Sequence, residues 1–114
     1  MPDELAWNGD LFRRRMKRQA EQALRYADEH NRRLKRKQPN GNRVVHDEHV
    51  GISSVCDFLS VSSAADRPSA LLRELNELEA EDFIDQTIVD QAAFRRGFQA
   101  KVEEIRTRIS SSLK

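Results

Sequence analysis

The chain has 114 residues, enough for one domain with a modest core. Apolar residues make up 38% and charged residues 34%, against roughly 45–50% and 25% in typical domains, a balance that suits elongated helices better than a β-sandwich. The net charge of +1 conceals a segregation: Leu11–Val44 holds twelve Lys/Arg and three Asp/Glu, a local +9, while Asp66–Asp90 holds eight Asp/Glu and two Arg, a local −6. No apolar run approaches the roughly 20 residues of a membrane span, and the N-terminus lacks the basic flank and apolar stretch of a signal peptide. The single cysteine, Cys56, has no internal disulfide partner, so a reducing, cytoplasmic setting is expected.

Residues 1–8 read as a short lead-in. Asn8 is placed to cap a helix, with Asp10 as a rival cap, and Trp7 and Phe12 then stand at the spacing of a hydrophobic staple. Phe12, Met16, Ala20, Ala23, Ala27, His30 and Leu34 recur at steps of three and four, the rhythm of one helical face. Pro39 and the Asn40–Gly41 turn end this helix near Lys37. A helix over about 9–37 is about 42 Å long at ~1.5 Å per residue, so it must lie along another long helix or its own copy.

Residues 38–51 read as a connector with a short extended piece at 43–45. Ile52, Val55, Cys56 and Leu59 fit a helix over about 52–62, although Val55, Asp57, Leu59 and Val61 also alternate, which leaves an α+β alternative with a small hairpin in 43–62. Pro68 is suited to the first position of a helix over about 68–80, with Leu71, Leu72, Leu75 and Leu78 on its apolar face. Asp82 can cap a last helix over about 83–110, with the stripe Ile84, Ile88, Ala92, Phe94, Phe98, Val102, Ile105 and Ile109. A continuous helix from Pro68 with a stutter is the alternative. The fold class expected is all-α: a single helical domain over 1–114, its long helices antiparallel, with a frayed tail at 111–114.

Arg14, Arg18, Arg25, Arg32 and Arg36 share one strip of the first helix and are the candidate partner or phosphate contacts. Ala20, Ala23 and Ala27 form a small-residue seam, either packed within the chain against Ala92, Gly97 and Ala100 or serving as a homodimer interface. His46, Asp47, Glu48 and His49 are ligand types without a third ligand at defined spacing, so they read as solvated loop residues and no metal is assigned. Cys56 shares the apolar phase of its helix and reads as a buried, inert thiol. The basic helix and the acidic 66–90 region are expected to lie close enough to pair along their rims.

No phosphate-binding glycine loop, nucleophile elbow or Walker pattern is present, and neither an enzymatic role nor a cofactor is assigned. The function expected is a non-enzymatic protein–protein interaction module acting through charged helical surfaces. Its partner is another protein or a second copy, with no membrane contact. The alternative is nucleic-acid binding through the basic helix 10–37. Arg13–Arg18 and Arg32–Lys37 also match nuclear-localisation patches, so a nuclear location applies if the chain is eukaryotic.

Overall fold

Asn8 starts the first helix as its spacing predicts, its side-chain oxygen accepting from the Leu11 amide at 3.0 Å. The Trp7 and Phe12 rings meet across the cap at 5.4 Å between centroids, closing the staple. The computed structural model describes residues 7–35 and 43–112, with the side chains of 33–35 and 43 left outside the description. Among these residues all regular structure is helical: α1 (Gly9–Lys35), α2 (Arg43–Ser60), α3 (Pro68–Glu77), α4 (Gln91–Ser112) and 3-10 turns at Ser63–Asp66 and Ala80–Phe83. Most of the lead-in, Arg36, the expected end of the first helix near Lys37 and the last two residues of the tail lie outside the described residues.

The second helix packs extensively against both long helices. It runs antiparallel to α1: Ser53 Oγ donates to the Ala20 carbonyl at 3.0 Å, and further along His49 meets the ring of Tyr26 at 4.5 Å. It runs parallel to α4, with Asp47 at the start of α4 and Gly51 against Phe94. The two long helices are therefore antiparallel to each other, in a bundle of 56 × 23 × 21 Å. The core joins Met16 and Ala20 of α1, Val55, Cys56 and Leu59 of α2, Leu71 and Leu75 of α3, and Phe94, Phe98, Val102, Ile105 and Ile109 of α4.

Three boundaries differ from expectation. First, α2 begins at Arg43, so the stretch up to Gly51 is helix rather than connector, and no strand occurs among the described residues. Gly51 lies within α2, where its missing side chain lets the α4 backbone pack directly against it: an added Cβ would overlap the Phe94 carbonyl. Second, α3 ends at Glu77, and residues 78–90 form turns rather than either helical alternative. Third, Asp90 rather than Asp82 caps α4, accepting from the Ala93 amide at 3.0 Å. Asp85 caps only a local turn, accepting from the Thr87 amide at 2.8 Å. In the stripe of the last helix Ala92 is exposed and Ala93 takes the buried place.

The connector between α2 and α3 is tied to the start of α1. Trp7 Nε1 donates to the Ala65 carbonyl at 2.7 Å, and Arg13 Nε donates to the Ser62 carbonyl at 2.8 Å. The Ser62 hydroxyl in turn donates to Glu74 at 2.6 Å, joining the connector to α3.

Candidate functional site

Arg14, Arg18, Arg25 and Arg32 are exposed on α1, and Arg15 and Lys17 add two further exposed cations to its N-terminal half. None of the six forms an ion pair among the described residues. Helical spacing keeps the four arginines on one strip, interrupted by the exposed Glu21, Asp28 and Glu29. The exception on this helix is Arg13, whose guanidinium bridges Asp10 at 2.9 Å and Asp66 at 2.6 Å.

The acidic region is not spread along this strip. Its contact with α1 is the Arg13–Asp66 pair, whereas Glu81 pairs with Arg95 of α4 and Glu74 bonds Ser62. The expected rim-to-rim pairing is thus confined to one end of α1. The reason is topological: α3 docks on α4 and on the 63–66 turn rather than along α1.

The alanine seam is occupied within the chain. Ala20, Ala23 and Ala27 are buried on the side of α1 that carries the Ser53 contact to α2. Their expected counterparts do not face them, because Ala92 and Ala100 are exposed and Gly97 lies against Glu48. A surface for a second copy would have to use other residues.

The His46–His49 stretch lies in α2 and not in a loop. Asp47 points inward and is fully buried, accepting from the amides of Val89 at 2.9 Å and Asp90 at 2.7 Å. His46 Nδ1 lies 2.9 Å from the Asp47 carboxylate, and His49 Nδ1 lies 2.9 Å from the Val45 carbonyl. His30 also stacks on Tyr26, at 5.8 Å between centroids. Among the described residues no group of three or more His, Cys, Asp or Glu side chains is arranged to hold a metal ion.

Cys56 is buried without a disulfide partner, and burial pushes its thiol up to about 11 despite the nearby Lys101 ammonium. The thiolate is the reacting form, so the folded protein should be inert to a disulfide-exchange reagent near pH 8 and become reactive on unfolding. The sign of the linkage follows: stability from the buried neutral thiol is fully present below pH 9 and is lost as pH rises from 9 towards 11. Denaturant melts at pH 7 and pH 10 check the direction, and rapid thiol reaction in native buffer would contradict the burial.

Between the start of α1 and the end of α4 lies a groove of about 190 Å³ that the sequence did not disclose. Trp7, Phe12, Met16, Ile105 and Ile109 supply its apolar lining, and Arg15, Lys101 and Arg108 supply cations. Glu104 bonds Lys101 at 2.6 Å and lies 3.7 Å from Arg108, which leaves Arg15 without a paired acid. The Lys101 hydrogen bond holds the Glu104 carboxyl below its ordinary range. Gln19 Oε1 is buried at the groove without a hydrogen-bond partner. The only sequence signal for the groove was the Trp7–Phe12 staple, because its walls come from opposite ends of the chain.

No helix among the described residues is long and apolar enough to cross a membrane. Compared with protein-family models, with curated proteins and with solved structures, the chain has no significant match.

Proposed function

We propose that the chain is a non-enzymatic interaction module that binds another protein through the cationic face of α1, in a reducing, cytoplasmic setting. One observation carries this reading: Arg14, Arg15, Lys17, Arg18, Arg25 and Arg32 all face solvent without an acidic partner among the described residues. A face on which cations outnumber acids attracts an acidic partner and raises the rate of encounter. The buried, protonated thiol of Cys56 offers no nucleophile, and the His46–Asp47 pair is engaged in holding the start of α4.

The same strip favours a second reading, nucleic-acid binding. Against it stand Glu21, Asp28 and Glu29, which break the run of cations that a phosphate backbone would follow, and an exposed aromatic supply on α1 limited to Tyr26. A salt titration separates the two. If Arg14, Arg18, Arg25 and Arg32 each neutralise one phosphate, duplex binding should weaken with a log–log slope of roughly −3.6. We expect instead little duplex binding near physiological salt. Tight, salt-steep binding abolished by changing the four arginines to Gln would overturn the protein-partner reading.

A further inference from the structure

We infer that the groove between α1 and α4 is the docking site for an acidic peptide segment that inserts one large apolar side chain. This rests on the reading above and names its site and the chemistry of the partner. At about 190 Å³ the groove exceeds the roughly 150 Å³ that admits benzene in an engineered cavity, so a phenylalanine- or leucine-sized anchor fits between Trp7, Phe12 and Ile109. Anchors of this kind, seated in a pocket, carry most of the energy of many interfaces.

Three features select an acidic peptide over other occupants. The groove's cations are Arg15, Lys101 and Arg108, and the one acid paired with them among the described residues is Glu104, 2.6 Å from Lys101 and 3.7 Å from Arg108, so the balance is positive. Arg14, Lys17 and Arg18 extend that positive field along α1, with no acidic partner among the described residues. The unbonded Gln19 Oε1 calls for a donor, which a peptide N–H supplies and an ionised fatty acid or a hydrocarbon does not. The apolar lining does not suit a phosphate, which separates this groove from the arginine strip.

The chain has one tryptophan, and it lines the groove, so its emission reports directly on occupancy. The probe is a capped, extended peptide of Gly and Glu carrying a single central Phe, whose main-chain N–H groups are free to donate, titrated into the 114-residue chain. We expect saturable binding with a shift in Trp7 emission. Affinity should drop roughly tenfold or more when the Phe of the peptide becomes Ala, and should fall for the protein variants Arg15→Glu and Arg108→Glu. Both positions are exposed, so the variants should keep the helix content of the parent, as circular dichroism will show. Binding that ignores the Phe and survives both variants would overturn the groove while leaving the cationic face of α1 as a binding surface. Absence of binding by either peptide would overturn the groove proposal, and duplex DNA binding that depends on Arg15 and Arg108 would reassign it to nucleic acid.

Discussion

Gly97→Ala should lower the melting temperature by roughly 8 °C or more, although alanine is the better helix former. In an exposed helix interior the same change would stabilise by up to ~1 kcal/mol. Here a Cβ at Gly97 would overlap the Glu48 carbonyl oxygen and lie 2.8 Å from its carbon. The obstruction is main chain within a helix, so no rotamer change relieves it, and α2 and α4 must separate. The contact is reciprocal, since a Cβ at Gly51 would overlap the Phe94 carbonyl and lie 3.0 Å from the Phe98 amide. Separation would loosen Val55, Phe94 and Phe98, all fully buried. Overpacking typically costs 1–3 kcal/mol, occasionally more. A net loss of about 2 kcal/mol, at ~4 °C per kcal/mol for a domain of this size, gives the expected drop. The exposed Ala100→Gly provides the opposite reference, a loss of propensity alone of about 0.5–1 kcal/mol. A higher melting temperature for Gly97→Ala would mean that α2 and α4 are not in close main-chain contact.

This contact also explains which parts of the fold were legible in the sequence. α1 was legible because its signals are local: the Asn8 cap, the Trp7–Phe12 staple and the stripe from Met16 to Ala27 all lie within neighbouring turns. The Pro68 start of α3 and the Phe94–Ile109 stripe of α4 were legible for the same reason. The first half of α2 was not. Val44, Val45 and Gly51 lower helix propensity, and the offsetting terms come from α1 and α4, distant in sequence. The turns at 84–90 were hidden in the same way, because the spacing of Ile84 and Ile88 mimics a helix face. Exposure of the α1 arginines followed from helical spacing. Their distance from most of the acidic region depends on where α3 docks, and no local pattern records that.

Asp47→Ala tests the other long-range determinant, and it should cost about 3 kcal/mol or more. The carboxylate is fully buried and accepts from two consecutive amides, Val89 and Asp90, at the positive end of α4. Both bonds are part-buried and charge-assisted, and hydrogen bonds to a charged group contribute ~1.5–3 kcal/mol each. The emptied volume adds a further penalty, because packed surroundings relax only in part. The loss should not stay local. Ile88 is anchored in the core and Asp90 caps α4, so freeing residues 88–90 loosens the cap and the first turn together. Asp47→Asn keeps one accepting oxygen of the same shape, so it should fall between the parent and Ala. Hydrogen exchange supplies the specific readout: the Val89 and Asp90 amides should lose protection before the centre of α4 does. Those two amides staying protected in Asp47→Ala, with the melt unchanged, would show that something other than this carboxylate holds the start of α4 against α2.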